Sequence, residues 1–423
     1  MSARTIEQHR TAVATLLAPL RDSRATETLP LSAAMITARP DDYRDRTLAE
    51  ALTSPVFLPP FDNSQMDGYA VRAADLRTAG PTAPVTLTVA GPINAGDAGS
   101  PLAAGTAAPI MTGAPIPAGA DAVVPIERSD PPRFYPAHIP GTVTFSAPVS
   151  PGTFVRARGS DLGSGDRLLP AGTLLRAAQL GVLAGAGLTE LPVLRRIRVL
   201  LVATGHEIRE AGTPLQPGQI YDANSVILGQ ALQEAGCTVF ARPCRSDDAA
   251  DLLAILADAP PVDLLITVGG VSAGAREVVR DALGPLGVGF EHVAMQPGGP
   301  QGFGSIQLPG AQRMPVVTFP GNPVSALISF EVFLRPVLRR LNGLPHPDRV
   351  LHRAALAEDL ESPAGKHQLR RGIRSADGTI ALVGGASSHL LHAYAAATVL
   401  VHLPVGVDRV SAGDPVDYWS IDD

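Results

Sequence analysis

Acidic side chains in glycine-rich or polar loops are the first candidates for chemistry in this sequence. Asp67 sits in Gln65-Met66-Asp67-Gly68-Tyr69, Asp161 in Gly159-Ser160-Asp161-Leu162 and Glu207 in Gly205-His206-Glu207-Ile208. Asp222 follows Ile220-Tyr221, Asp247 and Asp248 are adjacent, and Glu277 follows Arg276. Each alone reads most simply as a cap or a solvated turn residue, and Asp247, at a predicted helix start, as an N-cap. Several gathered at loop ends beside phosphate-binding loops would suit Mg²⁺, which takes carboxylate oxygens and substrate phosphates. Two such loops are visible. Gly269-Gly270-Val271-Ser272-Ala273-Gly274 follows a strand-like run, where glycine lets the backbone approach a ligand and free N–H groups with the Ser272 hydroxyl hold an anion. In Phe319-Pro320-Gly321-Asn322-Pro323-Val324-Ser325, a proline near the helix start and a serine in the first turn leave an anion-accepting end. The bland alternatives are a tight βα turn for the first and a plain helix start for the second. Neither is a Walker A loop or a GxGxxG fingerprint. The ten histidines show no HExxH spacing, and Cys237 and Cys244 flank a predicted strand as buried hydrophobes would.

For these loops to converge they must sit at strand ends. The run 197–203 (Ile-Arg-Val-Leu-Leu-Val-Ala) ends in Thr204-Gly205, as a buried parallel strand does. Helical patterns over 224–235, 247–257, 276–283 and 324–341 alternate with strand-like runs at 238–243, 263–268 and 316–319. That alternation predicts a doubly wound α/β domain whose ligand loops lie at the C-terminal ends of the strands. Upstream, 1–20 has apolar residues at helical spacing, 25–58 reads as helix and turn, and 59–148 changes to short strand-like runs. A helical segment is expected around 177–184. Beyond Pro347, runs at 349–355, 368–374, 380–383, 398–403 and 415–418 predict a small C-terminal β domain.

The 423 residues suggest roughly two to four domains. With 34 Lys and Arg against 40 Asp and Glu, a net charge of -6 excludes the broad basic footprint of a nucleic-acid-binding protein. No run approaches the ~18 apolar residues of a membrane span, and no apolar stretch marks a signal peptide. A cytoplasmic protein without nucleic-acid or membrane partners is expected. Two cysteines cannot build a disulfide scaffold or a four-Cys zinc site. The 42 Gly and 40 Pro, spread without a period, suit many short strands joined by tight turns. Lys366 is the only lysine.

In their order along the chain, these segments resemble one family. Phe61-Asp62-Asn63-Ser64-Gln65-Met66-Asp67-Gly68-Tyr69-Ala70-Val71 is similar to the FDNSAMDGYA signature of the molybdopterin molybdenumtransferases, which comprise the bacterial MoeA proteins and the E domains of gephyrin and its plant counterpart. Further matches are Ile110-Met111-Thr112-Gly113-Ala114-Pro115, Arg158-Gly159-Ser160-Asp161, Thr204-Gly205-His206-Glu207, Ile220-Tyr221-Asp222-Ala223-Asn224 and both glycine loops. The resemblance covers essentially the whole chain. It implies an elongated α/β and β multidomain subunit that forms a homodimer. Its expected parts are an N-terminal helical and linker domain (1–58 plus 149–193), an inserted β-rich domain (59–148), a doubly wound molybdopterin-binding α/β domain (194–343) and a C-terminal β-barrel-like domain (346–423). The implied reaction inserts molybdate into adenylylated molybdopterin with release of AMP, using Mg²⁺. The molybdopterin adenylyltransferase and recipient molybdoenzymes would be protein partners. Carried over motif by motif, the catalytic positions are Asp67, Asp161, Glu207, Asp247 and Glu277, with Asp67, Glu207 and Asp247 as metal ligands. Thr204, Gly205, Asp222, Gly269, Gly270, Ser272, Pro320, Asn322, Pro323, Ser325, Arg371 and Ser388 would bind the pterin, AMP and molybdate. Gly269 and Gly270 are expected to leave their space to the ligand.

The departures are specific. Glu277 stands where the family has Asp, and His206 replaces the Asp of a Thr-Gly-Asp-Glu motif. Where the family reads Met-Lys-Pro-Gly-Lys-Pro, this chain has Met295-Gln296-Pro297-Gly298-Gly299-Pro300, without the two lysines that resemble oxyanion binders. Arg276, Arg280, Arg371 and Ser388 remain to compensate, and lysines restored at Gln296 and Gly299 are expected to tighten molybdate binding. The loss favours a second reading, a catalytically weak paralogue that binds molybdopterin or a partner molybdoenzyme.

Overall fold

The computed structural model describes residues 3–135, 140–271, 277–308 and 312–422. The first helix, Ile6–Leu17, opens with a capping box in which the Thr5 hydroxyl accepts from the Gln8 N–H (3.2 Å) and the Gln8 side chain accepts from the Thr5 N–H (3.0 Å). Its buried Val13 and Leu17 pack on the α/β sheet beside Ile197, Leu228 and Phe330. The N-terminal unit proper differs from the expected helix and turn. Thr26–Pro30 is a strand, paired antiparallel with Glu190–Leu194. Thr-Glu-Thr-Leu-Pro carries one large apolar side chain, so the strand is specified by its distant partner and not by its own pattern. Leu48, Leu175, Leu183 and Leu191 build the core there, under the helix Ala177–Gly185.

The inserted unit is a six-stranded sheet ordered Ala122–Pro125, Gly68–Val71, Thr106–Ile110, Val85–Val89, Thr142–Phe145, Ser129–Asp130. The close approach of its first two strands requires Gly68, where a Cβ would lie 2.1 Å from the Val124 carbonyl oxygen.

The α/β unit sets four parallel strands in the order Thr238–Ala241, Arg198–Ala203, Leu264–Val268, Met314–Phe319. Every residue of Leu264–Val268 is buried, as a strand covered on both faces requires. Ile6–Leu17 and Asn224–Glu234 cover one face, and Ala249–Ala257 and Val278–Leu283 the other. The winding on both faces is as predicted, but the sheet is mixed. Pro300–Ile306 and Val288–His292 extend its edge antiparallel. Neither is expected from the sequence: Gly302 and Gly304 interrupt the apolar pattern of the first, and the second, Val-Gly-Phe-Glu-His, is short with a glycine of its own. Gly302 and Gly304 are needed: a Cβ would meet Thr318 Oγ1 at 2.3 Å or the Gly287 carbonyl oxygen at 2.5 Å.

The helix predicted over 324–341 is three contiguous pieces, Pro323–Ser329, a π turn Phe330–Leu334 and Arg335–Leu341. Pro336 has no N–H to continue the ladder, and the chain widens just before it. In the C-terminal β unit the sheet runs Met295–Gln296, His367–Arg374, Val399–Leu403, Pro415–Ser420, Leu351–Ala355. Met295–Gln296 leaves the α/β unit to pair with His367 and Gln368, so the segment 292–300 is gripped by both units. Among the described residues no helix is long and apolar enough to cross a membrane.

Candidate active site

The parallel-strand ends face the C-terminal β unit across a cleft of about 1090 Å³. Lateral hydrogen bonds staple the strand ends together. The Thr204 N–H donates to Val268 O (2.9 Å), the Gly205 N–H to Cys244 O (3.1 Å) and the Gly269 N–H to Phe319 O (3.0 Å). Thr204, Gly205, Gly269 and Gly270 all line the cleft. Gly269 and Gly270 turn at φ +97 and +61, where only glycine is unstrained. A Cβ on Gly269 would lie 2.7 Å from Thr204 O, and one on Gly270 3.0 Å from Val279 N. The space expected to belong to the ligand is therefore filled by protein atoms. Ser272 lies outside the described residues.

One wall is acidic. Asp248, and not Asp247, caps the helix Ala249–Ala257, accepting from the Ala250 N–H at 2.9 Å. That leaves Asp247 facing the cleft, with Oδ2 3.1 Å from His206 Nδ1; Glu207 Oε2 lies 3.7 Å from the same nitrogen. The imidazole that departs from the family pattern thus sits between two carboxylates. Asp222 also lines the wall, but its oxygens accept from the Ser225 N–H (3.0 Å) and O–H (2.6 Å), which is the capping role. Glu277 lines the same wall just before Val278–Leu283. Asn224 was missed as a working residue. Its Nδ2 donates to Gly321 O at 2.7 Å, strapping a helix start to the loop that carries Pro320, Asn322, Pro323 and Ser325. Pro323 takes the first helical position and Ser325 is buried in the first turn.

The facing wall comes from the segment 292–300 and the C-terminal unit. Gln296 Oε1 accepts from Gln368 Nε2 at 2.7 Å. Ser388 docks on the α/β unit through its carbonyl, which accepts from the Val324 N–H at 3.1 Å. Arg371 does not line the cleft. It is fully buried, its guanidinium donates to the Gly385 and Ser387 carbonyls, and burial depresses its pKa. It therefore holds the Ser388 loop from behind. Arg280 stacks 5.0 Å over the Phe290 ring, away from the lining. His292, Lys366 and His389 complete this wall, and no motif had marked them as site residues.

Asp67 and Asp161 also stand outside the cleft. Asp67 is exposed, and hydrogen bonds from the Thr112 N–H (2.6 Å) and O–H (2.7 Å) hold its carboxyl below the usual carboxylate range. Asp161 is exposed in the N-terminal unit. Among the described residues no group of three or more His, Cys, Asp or Glu could hold a metal ion, so Asp67, Glu207 and Asp247 are not brought together within one subunit.

A polar cleft at the strand ends of a doubly wound domain is where such domains bind ligands. Three family models match the chain: MoeA N-terminal region (domain I and II) over residues 4–187, probable molybdopterin binding domain over 201–340, and MoeA C-terminal region (domain IV) over 353–421. Molybdopterin molybdenumtransferase 2 of Mycobacterium tuberculosis (strain H37Rv) is 44% identical over 99% of this chain and 100% of its own length. The molybdopterin molybdenumtransferase of Haemophilus influenzae is 34% identical over 93% of this chain and 96% of its own. A solved molybdopterin biosynthesis moeA protein from a Pyrococcus species superposes with a TM-score of 0.76 at 28% identity, covering 99% of both chains. The chain belongs to the MoeA family.

Proposed function

We propose that this chain transfers molybdenum to molybdopterin, the activity for which its relatives are named, taking adenylylated molybdopterin and molybdate and releasing AMP. The observation that carries this reading is the two-sided cleft, with carboxylates at the strand ends facing donors from the C-terminal unit. The substrate pair asks for both sides: a phosphate that needs a cation, and an oxyanion that needs donors. Glu207 and Asp247 are hard oxygen donors on adjacent loops, which fits Mg²⁺, a cation that keeps most of its ligands as water and phosphate oxygens. They would hold it where it draws charge from the phosphate being cleaved. The stapled glycine turns keep side chains out of the cleft floor, and the Asn224 strap fixes the Pro320 loop that would receive the ligand.

A homodimer belongs to the same reading. Asp67 and Asp161 are exposed carboxylates that the subunit does not bring to its own cleft, and a partner subunit is the means of doing so. A cytoplasmic location also fits two buried, unpaired thiols, Cys237 and Cys244. The adenylyltransferase that makes the substrate and the molybdoenzyme that takes the product are the expected protein partners.

The test is reconstitution. The purified chain with adenylylated molybdopterin, Mg²⁺ and molybdate should release AMP and yield a cofactor that activates an apo-molybdoenzyme. Asp247→Asn should fold and lose most of both signals. Binding of the pterin without AMP release would favour the weak paralogue, the reading that Gln296 and Gly299 support.

A further inference from the structure

The cleft is divided by charge. Glu207, Asp247 and Glu277 lie on the strand-end wall, whereas the facing wall offers hydrogen-bond donors. Lys366, the only lysine in 423 residues, is half-buried on that facing wall. The next residue fixes its place: the His367 N–H donates to Ala294 O at 2.9 Å, and His367 pairs with Met295. Among the described residues no hydrogen bond or ion pair engages the Lys366 ammonium. On the same wall, the Gln296 oxygen is already taken by Gln368, which leaves that amide its N–H donors.

A second observation concerns Gly299. A Cβ built there would lie 2.6 Å from His292 Cε1 and 2.8 Å from Nε2. The His292 ring therefore occupies the volume that a side chain at Gly299 would need. It reaches that seat because His292 ends the strand Val288–His292 directly opposite Pro300 in the antiparallel register. An imidazole offers an N–H donor in either protonation state. So Lys366, His292 and the Gln296 amide all bring donors to one wall of the cleft, and donors are what a small tetrahedral oxyanion requires.

We propose that Lys366 and His292 hold the molybdate oxyanion in this chain, taking over the charge and donors absent at Gln296 and Gly299. The proposal rests on the transferase reading. On this view the Gln-Pro-Gly-Gly segment is an exchange of ligands: the side chain is lost at Gly299 and the imidazole moves into its place. It also overturns the expectation that a lysine at Gly299 would tighten binding, since such a lysine would expel His292.

The single lysine gives a direct readout. The full-length protein is treated with a limiting amine-acylating reagent, and modification of Lys366 is followed by peptide mass spectrometry with increasing molybdate. Molybdate should protect Lys366, and half-protection should fall at the concentration that half-saturates metal insertion. Lys366→Gln and His292→Ala should each raise half-saturating molybdate about tenfold while turnover at saturation is kept, with Lys366→Arg largely restoring it. Gly299→Ala should reproduce the His292→Ala shift, and the two together should add nothing further, because both remove the ring from one seat. Protection needs no turnover, so it tests the anion site even if insertion fails. Wild-type insertion with unprotected Lys366, or with unchanged half-saturation in Lys366→Gln, overturns the proposal and leaves the transferase reading standing. No protection and no insertion would remove both.

Discussion

Replacing Gly269 by alanine separates two reasons for a glycine at a ligand loop. If the ligand needs the space, the free protein hardly notices the methyl group and only binding suffers. The geometry says otherwise, because the Cβ would lie 2.7 Å from Thr204 O and 2.8 Å from Thr204 Oγ1. Thr204 cannot retreat easily, since its own N–H is bonded to Val268 O at 2.9 Å within the stapled strand ends. Two costs then add. An L-residue held at φ +97 loses about 1–2 kcal/mol, and forcing a methyl group into a packed site costs about 1–3 kcal/mol more. Taking ~3.5 kcal/mol for the sum, and 2–4 °C per kcal/mol for a domain of this size, the α/β transition should fall by about 10 °C. Gly218→Ala is the control. It has φ +85 but nothing within 4 Å of its Cβ, so only the first cost applies, roughly 1–2 kcal/mol and about 5 °C. Calorimetry of the ligand-free protein and both variants decides it. Equal shifts for Gly269→Ala and Gly218→Ala would refute the packing argument and return the glycine to the ligand.

Two further outcomes are expected. Arg371→Met should raise half-saturating molybdate by roughly tenfold while shifting the melting temperature little: two carbonyls of the Ser388 loop lose a charged donor, yet a buried cation whose Nε and Nη1 have no partner among the described residues is itself costly; a large loss of stability with unchanged half-saturation would show that Arg371 serves the core instead. His9 is fully buried between Phe303 and Phe333, and burial, aided by Arg4, pushes its pKa from 6.5 down to about 4. The unfolded chain therefore takes up the proton first, and ~3 kcal/mol of stability should be lost as pH falls from about 6.5 to about 4; urea midpoints of the wild type and His9→Leu should diverge only across that window, and parallel curves would exclude the effect.

The elements with strong periodicity are legible in the sequence alone. Arg198–Ala203 and Leu264–Val268 are continuous apolar runs because both sheet faces are covered, and their helices carry ordinary amphipathic patterns. Thr26–Pro30 and Pro300–Ile306 are not legible, for opposite reasons. The first has too few apolar residues to show a period, and the second needs glycines where neighbouring backbone comes close. Glu207, Asp222, Asp247 and Glu277 line one cleft, yet only geometry separates Asp247, which faces it, from Asp248, which caps the helix. Neither residue type nor spacing distinguishes two adjacent aspartates.

The donor wall shows a different kind of blindness. A motif comparison scores positions one at a time, so Gln296 and Gly299 register as two lost cations. Recognition of an anion depends on the volume around it, and side chains from any strand that reaches this volume can serve. Here the segment 292–300 folds back so that His292 overlies Gly299, and its pairing with the strand His367–Arg374 puts Lys366 on the same wall of the cleft. The first arrival depends on a hairpin whose second strand is hidden by glycines, the second on a two-residue parallel contact between separate units. Glycine at position 299 is then a requirement for the histidine, and the two positions should change together or not at all. A chain of this family carrying lysine at the position of Gly299 should have no ring seated in the place of His292. One carrying both would have to open the turn between them.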